Sequence, residues 1–187
     1  MRKIVLMMSV SLDGYIEGPD HDISWHCVDE ELHQHFNDTI RQMGGLISGR
    51  VTYDLMAAFW PTADADPEVT PPEAEFAAIW RDIPKHVYSR TLEHADWNTT
   101  VMRQVLPEEV RALKEQPGGD LGLGGADLAA AFLRHGLVDE IRLYVHPVLI
   151  GRGKPLFPQT DTTTAVHLTE SRTFGNGVIL LRYAVQG

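Results

Sequence analysis

The sequence predicts an α/β fold: a central, mostly parallel sheet with flanking helices and an antiparallel C-terminal hairpin. Short apolar runs of strand length alternate with segments whose apolar residues recur at helical spacing. Glycines stand where several of these runs give way to a helix. Near the end, two long β-type segments flank Asn176 and Gly177, a strong signal for a tight hairpin. Alternation of strands and helices builds a parallel sheet, and the hairpin ends it antiparallel.

In order, residues 4–10 form a continuous apolar run ended by Asp13 and Gly14, which predicts a strand buried on both faces. Asp29 is placed to cap a helix whose Leu32, Phe36, Ile40 and Met43 make one apolar face, stopped by Gly44 and Gly45. A second buried strand is expected over residues 46–48, turning at Gly49 and Arg50 into a helix with Tyr53, Leu55, Met56 and Phe59. Residues 61–75 combine four prolines with Asp64, Asp66, Glu68, Glu73 and Glu75, and are expected as an acidic surface loop. A short helix over 74–80 leads to strands at 86–89 and 99–102. Pro107, with Glu108 and Glu109 in the first turn, opens the next helix, and Gly118 and Gly119 close it. A strand at 121–123 runs through Gly124 and Gly125 into a helix over 126–135, with Gly136 as its C-terminal glycine. A strand over 138–146 ends at Pro147, and the hairpin segments are 165–174 and 178–185.

The length is that of one domain, expected over residues 1–187, and enough for a core that needs no disulfide or metal: folding at this size buries roughly 70% of the unfolded chain's surface. Sixteen Lys and Arg against 26 Asp and Glu leave a formal charge of −10, which opposes long-range attraction to nucleic acid or to anionic membrane. An anionic ligand must therefore be held locally. Cys27 is the single cysteine, so no internal disulfide forms, and a cytoplasmic location is expected. Nine histidines include no pair at i, i+4 on a helix, so no metal site is expected.

In a parallel sheet, ligands bind beyond the carboxyl ends of the strands. Gly124 and Gly125, with Ala126, Asp127 and Leu128 behind them, place two bare residues at a helix N-terminus, where free amides and the helix dipole favour an anion; a plain tight turn is the alternative. Gly49, Arg50, Val51 and Thr52 repeat the strand-to-helix turn with a guanidinium and a hydroxyl that can hold a phosphate, and Ser89 and Arg90 have the same character at another strand end. A lone surface arginine is the bland reading of each.

Four stretches in order carry a resemblance that spans nearly the whole chain. They are Ser11-Leu12-Asp13-Gly14, then Gly49 to Tyr53 (GRVTY), then GGADLAAAFLRHGLVDE at 124–140, then HPVLIGRGKPLF at 146–157. The chain resembles the dihydrofolate reductase-like superfamily, in particular short proteins similar to the C-terminal reductase domain of the bacterial riboflavin biosynthesis protein RibD. The resemblance implies an NADPH-binding reductase of that fold, often homodimeric. By position, Gly124, Gly125, Ala126, Asp127 and Leu128 would cradle the pyrophosphate, while Gly49, Arg50, Thr52, Ser89 and Arg90 would hold the adenosine end. Ser9 and Ile16 would border the nicotinamide.

For the substrate side, reduction of a C=N or C=O group needs a route for a proton. The resemblance implies as candidate groups His146 at a strand end and Asp29 or Glu30 after Trp25, with Trp25 and Tyr53 as substrate contacts. Packing against Pro147 is the alternative for His146, and helix capping the alternative for Asp29. Leu123 stands where the riboflavin reductase carries a substrate-facing Glu, which argues against its intermediate, and the acidic loop argues against a folate tail. Arg81 and Lys85 stand close enough in sequence to reverse the second inference. The expected activity is NADPH-dependent hydride transfer to a small heterocyclic (pterin- or pyrimidine-like) or carbonyl substrate. The alternatives are 5-amino-6-(5-phosphoribosylamino)uracil reductase, dihydrofolate reductase, and a nucleotide-binding dimeric module without turnover.

Overall fold

A computed structural model describes residues 1–186. In chain order the elements are β1 (Ile4–Ser11), β2 (Tyr15–Glu17), α1 (Glu30–Arg41), β3 (Gly45–Gly49), α2 (Arg50–Phe59), α3 (Pro71–Asp82), β4 (Lys85–Tyr88) and β5 (Thr99–Met102). They continue with α4 (Pro107–Glu115), β6 (Leu121–Leu123), α5 (Ala126–Arg134), β7 (Glu140–His146), β8 (Lys154–Pro155), β9 (Val166–Thr173) and β10 (Ile179–Val185). Eight strands make one sheet in the order β5-β4-β3-β6-β1-β7-β10-β9. All neighbours are parallel from β5 to β7, and β10 is antiparallel to both β7 and β9. The predicted architecture is the observed one, hairpin included.

Strand alternation divides the core between two faces. Ile4, Leu6, Ile47, Leu121 and Ile141 point to the face covered by α4 and α5, where they meet Val110, Leu113, Ala129 and Phe132. Met7, Tyr144 and Leu180 point the other way and pack under Leu32 and Phe36 of α1. On that second face Tyr53 of α2 and Phe76 and Trp80 of α3 close over Val87 and Leu46.

Two expectations are corrected. Residues 61–75 are not a surface loop throughout: a 3-10 turn spans Trp60–Ala65 with Pro61 and Ala63 buried, and α3 begins at Pro71, not at residue 74. Two of the four prolines, Pro71 and Pro72, sit in the first turn of α3, where their missing amides cost nothing, and Thr70 and Glu73 form a capping box around them. Strands β2 and β8 were also unforeseen: at three and two residues they are too short for any periodicity, and they exist because they pair with each other.

Candidate active site

The chain crosses from β1 to β3, continues outward to β4 and β5, and then returns with β6 between β3 and β1. This return sets two glycine turns side by side although they are far apart in sequence. Gly49 is the N-cap of α2 and Gly125 the N-cap of α5, and neither helix start is capped by a side chain. A Cβ built on Gly49 or on Gly124 would meet nothing within 4 Å, and one on Gly125 would stand 3.4 Å from Thr52 Oγ1. Gly125 has φ +92°, a backbone state that glycine adopts without strain, and its amide reaches only Met8 Sδ at 3.2 Å, a weak acceptor. Two helix starts with spare amides therefore converge on one open surface, as an extended anion needs.

Asp127 caps nothing, because Lys154 Nζ holds its carboxylate at 2.6 Å. Ala126 is buried beside Val10 and Leu156, and the Leu128 side chain packs into the α4/α5 core, so only their backbones can face a ligand. Arg50 is exposed and paired with Asp54 at 2.8 Å. At the end of β4, Ser89 is buried and its hydroxyl accepts from the amides of Thr91 and Leu92, which holds its own turn, while Arg90 is exposed. Ile16 packs with Val10, Ala126 and Leu156 below the end of β1.

A cleft of about 210 Å³ opens beside these turns, on the face between α1 and α2. Of the predicted residues it gathers Ser9, Thr52, Tyr53 and Gly124. Its walls are Met7, Phe36, Ile40, Leu46, Met56 and Trp80, most of which were read only as core positions. Gly122 forms part of the lining: a Cβ there would come within 3.2 Å of Leu46 Cδ2 and 3.7 Å of Met7 Sδ. An isolated glycine inside a strand is the sequence signal that marks such a close approach. Leu123 borders the cleft, with its side chain in the α4/α5 core.

The predicted proton-donating groups do not line this cleft. Asp29 is the N-cap of α1, its carboxylate accepting from Leu32 N at 2.9 Å, a contact worth about 1 kcal/mol to the helix. Glu30 is exposed in the first turn. Trp25 donates its indole N–H to Asp22 O and packs edge-on against His26 and His146. His146 is 0% exposed, and its Nδ1 accepts from the Cys27 amide at 3.0 Å. Its ring stacks on that of His26 with centroids 5.0 Å apart. Burial and the neighbouring imidazole push His146 down to about 4, so it is neutral near pH 7.

The two cations near the acidic stretch are also engaged. Arg81 forks onto Asp64 through two bonds of 2.9 and 2.7 Å. Lys85 is buried, donates to Ile83 O and Trp97 O, and lies 4.4 Å from the centre of the Trp80 ring; burial pulls it down to about 8. Among the described residues no group of three or more His, Cys, Asp or Glu is placed to hold a metal, and no helix is long and apolar enough to cross a membrane.

The family model of the RibD C-terminal domain matches residues 2–180. The chain belongs to that family. The Bacillus subtilis protein YyaP is 36% identical over 187 residues, which cover 100% of this chain and 96% of that one. A candidate riboflavin biosynthesis protein from Shewanella sp. PV-4 superposes with a TM-score of 0.76 at 20% identity, covering 99% of both chains. Dihydrofolate reductase from Enterococcus faecalis, solved with NADP(H), superposes with a TM-score of 0.62 at 14% identity over 99% of this chain and 97% of its own. The fold is therefore dihydrofolate reductase-like, as the four sequence stretches implied.

Proposed function

We propose that this RibD-type domain is an NADPH-dependent reductase that delivers hydride to a C=N or C=O group of a small ring substrate held in the cleft. The observation that carries the reading is the meeting of two uncapped helix N-termini at the open end of an otherwise apolar cleft. The residues present fit the cofactor: bare Gly49, Gly124 and Gly125 leave room for phosphates against backbone amides, and Arg50 stands at the first of the two helix starts. Bound there, NADPH would supply the hydride. The chain's own part is to hold the phosphates on the α2 and α5 amides, to present Ser9 and Thr52 at the cleft, and to keep water from the ring site with Met7, Phe36 and Met56.

Calorimetric titration with NADPH and NADH tests this reading. Preference for NADPH is expected, and binding of neither nucleotide would remove the reductase assignment. Arg50→Ala should weaken NADPH by roughly 10- to 150-fold, the equivalent of losing a charge-assisted contact worth about 1.5–3 kcal/mol, and leave NADH unchanged. Equal loss for both nucleotides would take Arg50 out of that role.

The reading includes a homodimer. All eight residues of β9 are exposed, among them Val166 and Leu168, and β9 is the edge of the sheet. A long uncovered edge with apolar side chains is a surface that a second copy would bury. Light scattering that gives the mass of a single 20.9 kDa chain at micromolar concentration would count against it.

A further inference from the structure

The chemistry of the cleft narrows the ligand further, on the assumption of the reductase reading above. Its walls are aliphatic, thioether and aromatic: Met7, Phe36, Ile40, Leu46, Met56 and Trp80. Its polar groups at the end nearest the glycine turns are the hydroxyls of Ser9, Ser48 and Thr52, which donate to or accept from a neutral group. No carboxylate is among the lining residues. The single cation among them, Lys85, spends its N–H donors on two backbone carbonyls and rests on the Trp80 face, which leaves it no free donor to aim at a ligand. A cation entering this space would lose its hydration and find no carboxylate, and an anion would find no free N–H donor, losses that apolar walls do not offset. At about 210 Å³ the space is below the roughly 300–1,000 Å³ of pockets for drug-sized ligands, so it suits one small ring system.

We propose that the cleft selects an uncharged, flat, largely apolar ring bearing a carbonyl or equivalent acceptor, and discriminates against both cationic amidine-type heterocycles and sugar phosphates. The acceptor lies toward the hydroxyls of Ser9, Ser48 and Thr52, and the ring lies over Gly122 between the Met7 and Met56 side chains. Selectivity then comes from what is missing, a carboxylate for a cation and a free ammonium or guanidinium for a phosphate.

The test compares three probes by calorimetry on the full chain: 1-tetralone as the neutral bicyclic ketone, 2-naphthamidine as a cation of matched size, and uridine monophosphate as the sugar phosphate. Tetralone is expected to bind at least about tenfold more tightly than either of the others. Gly122→Val, which introduces a strand-favouring residue in β6 and fills the space beside Leu46 and Met7, is expected to weaken tetralone by a further factor of about ten and leave NADPH binding unchanged. Equal or tighter binding of naphthamidine or uridine monophosphate overturns the proposal, as does binding of no probe. So does tetralone binding that a folded Gly122→Val variant leaves unaltered. NADPH titrated into the same samples keeps the two readings apart. NADPH binding without tetralone binding removes this proposal and leaves the reductase, whereas tetralone binding without NADPH binding removes the reductase and leaves the cleft's preference.

Discussion

Acidification from pH 7 to pH 4 is expected to cost this protein about 3 kcal/mol of stability through His146 alone. The ordinary value for this imidazole is 6.5, and in the folded chain burial and the stacked His26 hold it at about 4. Between these two values the unfolded chain binds a proton that the folded chain refuses, so stability rises with pH across the window. The contribution is complete above about pH 6.5, declines as pH falls toward 4, and is level below that. At about 1.4 kcal/mol per pH unit the window is worth about 3 kcal/mol. The structural reason is specific: Nδ1 accepts from the Cys27 amide, so a proton placed there sets donor against donor, and the buried Nε2 has no partner among the described residues to share a charge. His26, His33, His35 and His86 are also held low by burial and act in the same direction. Urea unfolding at a series of pH values, on the parent and on His146→Gln, reads the His146 share. Glutamine can still accept from the Cys27 amide but does not titrate, so its stability should fall by about 3 kcal/mol less over the same range. Parallel curves for the two proteins would show that His146 does not carry the dependence.

Gly153→Ala is the second large effect. Gly153 has φ +145°, outside the range that L side chains adopt, and a Cβ there would overlap the backbone carbonyl of Glu17 and crowd Gly18 Cα. Because the obstructing atoms are backbone, no rotamer change relieves the overlap. Together the conformational strain and the forced displacement should cost about 3 kcal/mol or more, near 6–12 °C in Tm for a chain of this length. The damage should also spread: Gly153 adjoins β8, which pairs with β2, while Leu156 is buried beside Val10 and Ala126, and Lys154 holds Asp127 at the start of α5. Loosening this loop should therefore weaken the proposed nucleotide binding at the α5 N-terminus as well as lower Tm. Gly151→Ala is the control, since Gly151 has φ +74° but open space around it, and should cost only about 1–2 kcal/mol. Equal melting temperatures for the two variants would show that the contact with Glu17 is not what requires glycine.

Local rules carried most of the fold. The Asp29 cap, the Asn-Gly hairpin and the glycine stops each depend on a few consecutive residues, and in each case the structure has the element where the pattern points. The same locality explains the difference at residues 61–75, where proline and acid dominate the composition and mask the Thr70–Glu73 capping box. The burial of His146 was not legible for the opposite reason. Its position at a strand end is local information, but its burial comes from the segment carrying Trp25, His26 and Cys27, which folds over it from more than a hundred residues away in sequence.

The sequence by itself determined the α/β class, the family resemblance and the glycine turns at Gly49 and at Gly124 and Gly125, because periodicity, caps and turns are encoded over spans of a few residues. Only the tertiary structure decided that those turns face one another, since this follows from β6 inserting between β3 and β1. It alone showed that the adjoining cleft is lined by Met7, Phe36, Met56 and Trp80 and has no acid. These residues come from separate elements, and an apolar side chain facing a cleft has the same sequence pattern as one facing the core. The difference between the two is set by what lies opposite, here the bare backbone of Gly122.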